Sequence, residues 1–184
     1  MQRYEETAEV AVLPLPTLER QIDEITAGLA PVYAKNLRTI SEVNIETIAR
    51  YINAIRTETS FSNNYRRDII EALTRLAKFI ENINFQDLTR EHIVAFLDSY
   101  RKPEQVDPLH KWIGTYNVYR MHMLRFFKWL YFPAISAGMR QKPPVVDNIP
   151  GLRRRETSIY KPTDLWSPAD DLLFLKYCPS KRDK

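Results

Sequence analysis

Apolar residues recur at spacings of three and four through most of the chain, the period of helices with one buried face. In "TLERQIDEITAGL", Leu18, Ile22, Ile25 and Leu29 define a first helix, opened by Thr17 and ended by Gly28 and Pro31. A short second helix is expected from Pro31 to Arg38. Val43, Ile45, Ile48, Ile52 and Ile55 mark a longer helix with Ser41 or Asn44 as cap. Ser62 is a natural cap for the next, whose stripe is Ile69, Leu73, Leu76 and Ile80, widened by Ile70, Ala77 and Ile83. Thr89 opens "LTREHIVAFLDSYRK", with Ile93, Phe96, Leu97 and Tyr100 facing inward. Gly114 and Thr115 open a further helix whose face is Tyr116, Tyr119, Met123, Phe126 and Leu130, with Phe127 beside them, and Pro133 stops it.

A proline-bearing connection then runs to Pro162. Ser167 caps a last helix, with Pro168 in its first turn and Asp170 and Asp171 near the positive end of its dipole. Its apolar residues Leu172, Leu173, Leu175 and Tyr177 fit either a helix docked on the bundle or the first helix of a further domain. No strand alternation and no repeat is present. The expected class is all-α, with residues 1–40 an N-terminal helical extension, 41–132 a compact four-helix bundle, 133–166 a linker and 167–184 a terminal helix.

The 44% apolar and 27% charged content is ordinary for a globular chain. No apolar run reaches the roughly 18 residues that a membrane helix needs, and the acidic "MQRYEETAEV" does not read as a signal peptide. The lone Cys178 cannot form an internal disulfide, no Cys/His cluster has metal-ligand spacing, and no glycine loop could cradle a phosphate. These features point to a reduced, cytoplasmic setting with no cofactor, metal, membrane or small-molecule ligand.

Charge changes the picture. Residues 101–161 carry twelve Lys/Arg against four Asp/Glu, whereas residues 1–57 and 58–100 are each slightly acidic. A concentrated basic block suits phosphate binding, because each neutralised phosphate releases counterions. Asn63, Asn64, Tyr65, Arg66 and Arg67 crowd the start of one helix. Thr115, Asn117, Arg120, Arg125 and Lys128 lie off the apolar face of another, with Lys111 just before it. Helix N-termini attract phosphates, and Asn and Arg can read base edges. Arg153, Arg154 and Arg155 add a basic run in the connection.

"NNYRRDIIEALTRLAKFI", "LTREHIVAFL" and "MLRFFKWLYF" resemble, in order and spacing, three helices of the core-binding (SAM-like) domain of tyrosine recombinases, the phage-type integrases. "YKPTDLWSPADDLLFLKYC" is similar to the linker and first catalytic-domain helix of archaeal integrase-like proteins. The resemblance spans about Ser41 to Cys178. It implies duplex DNA as partner, nucleoid association and recombinase protomers in a synaptic assembly. It also implies that the helices matching 62–82 and 115–131 face DNA. The family's catalytic Arg, Lys, His-x-x-Arg and Tyr set is not found in the required order, so the chain is expected to bind DNA without cutting it, its catalytic domain missing.

Two rivals remain from the residues themselves. One is a helical protein–protein interaction module with an incidental basic patch. The other is a small complete recombinase using His122, Arg125, Arg153 and Tyr160. Against the second, the candidate first arginine follows the His-x-x-Arg instead of preceding it, across a proline-rich connection.

Overall fold

The computed structural model describes residues 17–153 and 167–177. Among them every regular element is helical, so the chain is all-α. The helices are α1 (Leu18–Thr26), α2 (Pro31–Leu37), α3 (Glu42–Glu58), α4 (Asn63–Phe79), α5 (Arg90–Asp98), α6 (Trp112–Tyr131) and α7 (Pro168–Tyr177). Short 3-10 turns lie at Phe85–Asp87 and Pro144–Val146. Of the described residues, 17–152 belong to one compact unit, and Arg153 with 167–177 to a second.

In the first unit α6 is the central helix, packed against α3, α4, α5 and the Pro144–Val146 turn. Phe126, fully buried, organises the centre. Its ring meets those of Tyr51, Phe85 and Phe127 edge-on at centroid distances of 5.2, 5.1 and 5.0 Å. Offset and edge-on aromatic pairs are favourable beyond their buried area.

The segments read as an extension and as a linker both feed this core. Ile22, Ile25 and Leu37 are fully buried, with α1 on α3 and α2 on α4. Val145, Val146 and Ile149 are also buried, and their segment is strapped down by side chains. Arg90 donates from Nε to the Asp147 carbonyl (2.9 Å) and from Nη2 to that of Asn148 (3.0 Å).

The caps follow local chemistry. The Ser62 hydroxyl accepts the Tyr65 amide at 3.2 Å, and at Thr89 the backbone N–H donates to His92 Nδ1 at 3.1 Å, closing a capping box. Other expectations need correction. Helix α6 begins at Trp112, not Gly114, because the Asp107 carboxylate accepts the Trp112 amide at 2.9 Å. Asn44 is no cap. It lies fully buried inside α3, donating to the Ile83 carbonyl (3.0 Å) and accepting the Phe85 amide (3.2 Å). Ile83 does not extend the α4 stripe, because Glu81 and Asn82 take positive φ values of 52° and 64° and turn the chain away. Ile83 and Val43 are exposed.

The second unit's α7 is capped as its sequence implies. Ser167 Oγ donates to Asp170 Oδ2 at 2.7 Å, and Asp170 returns a backbone N–H to Ser167 Oγ at 3.3 Å.

Candidate nucleic-acid interface

Helix α6 is buried around most of its circumference, through Ile113, Tyr116, His122, Met123, Phe126, Phe127 and Trp129. One arc is left to solvent. Gly114, Thr115, Val118, Met121 and Arg125 are exposed along it, Lys111 precedes it and the half-buried Lys128 ends it. At about 1.5 Å rise per residue, Lys111 and Lys128 stand roughly 25 Å apart along the helix. Among the described residues, Lys111, Arg125 and Lys128 form no ion pair with a carboxylate, so their charge faces outward uncompensated.

The N-terminal turn of α4 meets this arc. Arg125 Nη1 donates to the Tyr65 hydroxyl at 2.7 Å, and its guanidinium carbon stands 5.6 Å from the Tyr65 ring centroid. Next to that pair opens a cleft of about 670 Å³ between the C-terminal end of α3, the start of α4 and α6. Lys128 and Arg125 line it, and so does Arg140. Arg140 is buried and committed elsewhere. It grips Glu58 through both guanidinium nitrogens, one at 3.0 Å, and donates from Nε to the Phe132 carbonyl at 3.1 Å. That clamp ties the chain after α6 to the end of α3 and forms one wall. Neither Glu58 nor Arg140 stood out in the sequence, because the pair is separated by 82 residues.

Four expected contact residues already have partners in the protein, and of these the buried Arg66 is the one whose reading as a free DNA contact needs correction. Arg66 is buried at 8% exposure, with Nη2 donating to the Ala27 carbonyl at the end of α1 and to Asn63 Oδ1 at 3.1 Å. Its task is to join α4 to α1. Asn117 exchanges two bonds with Leu152, Nδ2 to the carbonyl at 2.8 Å and Oδ1 from the amide at 3.0 Å. Arg120 donates from Nε to the Ile149 carbonyl at 2.6 Å. Both therefore hold the strap that follows the Pro144–Val146 turn. Arg67 is half-exposed but shares its charge with Asp68 at 2.8 Å, and that carboxylate holds its guanidinium more firmly protonated than usual. Asn63 and Asn64 are exposed at the head of α4.

His122 and Arg125 do not converge on a common point in solvent. His122 is 8% exposed, its ring 5.7 Å from that of Tyr65, and burial holds its pKa below the ordinary value. Arg153 is exposed and lies in the second unit. Arg154, Arg155 and Tyr160 lie outside the described residues. No group of three or more His, Cys, Asp or Glu side chains with metal-binding geometry occurs among the described residues, and none of the described helices is long and apolar enough to cross a membrane.

No protein-family model matches the sequence, and no curated protein or solved structure matches it at a significant level.

Proposed function

We propose that the compact unit binds duplex DNA through the exposed arc of α6 and the first turn of α4. The observation that carries the reading is the Tyr65–Arg125 pair, which joins the two elements into one surface where Lys111, Arg125 and Lys128 stand free of carboxylates. Such cations bind phosphates by displacing counterions. Thr115, Asn63 and Asn64 supply uncharged donors and acceptors beside them. The order and spacing of the helical motifs, similar to the core-binding domain of tyrosine recombinases, favour the same face. On this reading the chain positions DNA as part of a site-specific recombinase or integrase and does not itself cut a strand.

The test is a salt titration of duplex affinity. Between about 50 and 200 mM salt the affinity of a protein with several phosphate contacts falls by orders of magnitude. Charge reversal of Lys111, Arg125 and Lys128 together should abolish binding. Affinity indifferent to salt and to this triple variant would remove the proposal.

A second reading has its own support. Val118 and Met121 are exposed at 53% and 40% in the middle of the arc, which suits a helical protein partner. Such a partner would be retained by the charge-reversed variant and lost on replacing Val118 and Met121 with Ser.

A further inference from the structure

The cleft beside Tyr65 has a feature that duplex binding does not use. Tyr51 is 3% exposed as a whole residue, and it lines this cleft. Burial, with smaller opposing effects from Arg125 and Arg140, pushes its pKa up. The group therefore stays a neutral donor throughout the physiological range. The same cleft holds Arg125 and Lys128, which form no ion pair with a carboxylate among the described residues, while the charge of Arg140 is matched by Glu58. The cleft thus presents two net positive charges and a phenolic O–H, next to the capped N-terminus of the 17-residue α4. Apolar and aromatic side chains line it as well: Ile55, Phe61, Met121 and Leu124. Phe61 stands edge-on to Tyr65 at 5.9 Å. The volume of about 670 Å³ lies within the range of about 300–1,000 Å³ usual for small-ligand sites.

We propose that this cleft binds a nucleoside monophosphate unit, its phosphate held by Arg125, Lys128 and the Tyr51 hydroxyl and its base laid against Phe61 and Met121. A dianionic phosphomonoester matches two uncompensated cations plus a neutral donor better than a carboxylate does. A flat base matches the aromatic wall, since bases stack on aromatic rings whatever their sequence. The unit has two possible sources, a free nucleotide or the 5′-phosphorylated end of a DNA strand. The proposal shares Arg125 and Lys128 with the duplex interface and to that extent rests on it, whereas Tyr51 belongs to the cleft alone.

The experiment is calorimetric titration of the full 184-residue chain with deoxyadenosine monophosphate, deoxyadenosine, inorganic phosphate and single strands with or without a 5′-phosphate. The monophosphate is expected to bind at least tenfold more tightly than deoxyadenosine or inorganic phosphate. Tyr51→Phe, which keeps the ring and its packing, should lower that affinity about tenfold, the effect of one hydrogen bond to a charged group. Lys128→Gln serves as a second variant should Tyr51→Phe fail to fold, with the same expectation. A preference for the 5′-phosphorylated strand over the free nucleotide identifies a strand end as the source, and the reverse identifies a metabolite. Equal binding of the three small molecules, or monophosphate affinity unmoved in the folded variants, overturns the proposal. Duplex affinity measured in parallel separates the two readings. Duplex binding without monophosphate binding sinks only the cleft, and monophosphate binding without duplex binding sinks only the duplex interface.

Discussion

Arg125 is held by Tyr65 through both edge and face: a 2.7 Å hydrogen bond to the hydroxyl and a guanidinium 5.6 Å from the ring centre. A long exposed side chain normally loses rotamer freedom when it engages a phosphate. Here the ordering is already present, and the remaining guanidinium nitrogens are left to face a ligand.

On the duplex proposal this makes Arg125→Ala and Arg125→Lys distinguishable. The alanine variant should lower the slope of log affinity against log salt by about one, the signature of a lost phosphate contact. The lysine variant keeps the charge and should hold the slope, but weakens binding, because an ammonium cannot reproduce the planar pairing with Tyr65. Identical slopes for wild type and Arg125→Ala would remove Arg125 from the interface.

Arg66 should behave in the opposite way. Its guanidinium bridges α4 to the Ala27 carbonyl at the end of α1, so Arg66→Ala removes a hydrogen bond from a charged donor and should cost about 1.5–3 kcal/mol of stability. Denaturant unfolding measures this, and the salt slope of DNA binding should not change. A variant as stable as wild type would show that the bridge contributes nothing.

The contrast between these two arginines shows what the sequence can and cannot disclose. Arg125 lies off the apolar face of α6, whereas Arg66 stands three, four and seven residues before Ile69, Ile70 and Leu73, in register with the buried stripe of α4, so the helical spacing itself separates the two. Periodicity located every helix, and most of the core residues, because burial of one stripe is a local property of a helix. The capping side chains Ser62, Thr89 and Ser167 were legible for the same reason. Asn44, Asn117, Arg120 and Arg140 were not, because their partners lie 29 or more residues away in sequence and exist only once the chain is packed. Arg140 also bonds locally to Phe132, but its pairing with Glu58 spans the fold. The strap around Val145, Val146 and Ile149 was hidden by its prolines, which read as a free connection although two valines and an isoleucine are buried there. Tyr51 sits between Ile48 and Ile52 and reads as plain core, with no sign that it lines a cleft.

Phe126 is the packing element on which the others depend. Phe126→Ala should cost about 3–5 kcal/mol, the transfer free energy of a phenyl ring plus the cavity left among Tyr51, Phe85 and Phe127. Phe126→Leu should cost far less. Equal midpoints for the two variants in urea would mean that the aromatic cluster collapses around the gap.

Asn117 tests the strap. Its amide exchanges two bonds with Leu152, so Asn117→Ala should raise the hydrogen-exchange rate of the Leu152 amide. The global cost should be only about 1 kcal/mol, since Arg90 and Arg120 still hold the preceding carbonyls. Unchanged protection at Leu152 would show that Arg90 and Arg120 suffice to close the strap.

His122 links the helix pair to pH. Burial is the largest influence on it and disfavours the imidazolium; Arg125 acts in the same direction and Asp68 opposes both. The folded-state pKa therefore lies below the ordinary value of 6.5 that the unfolded chain retains. Between those two values the unfolded state binds more protons than the folded state, so stability must rise with pH. The contribution is complete above about pH 6.5 and is lost as pH falls from there towards the folded-state pKa. His122→Gln removes the titrating group while keeping a polar side chain of similar reach. Unfolding midpoints in urea at about pH 7.5 and pH 5.5 should converge for this variant relative to wild type. Carboxylates such as Glu19, whose pKa is lowered by its hydrogen bond to Arg38, lose their own contribution at lower pH and do so equally in both proteins. The difference between wild type and variant thus isolates the imidazole. A difference that stays constant from pH 7.5 to 5.5 would mean that His122 is protonated in the folded protein as readily as in the unfolded one, and that its ring is not sequestered between α4 and α6.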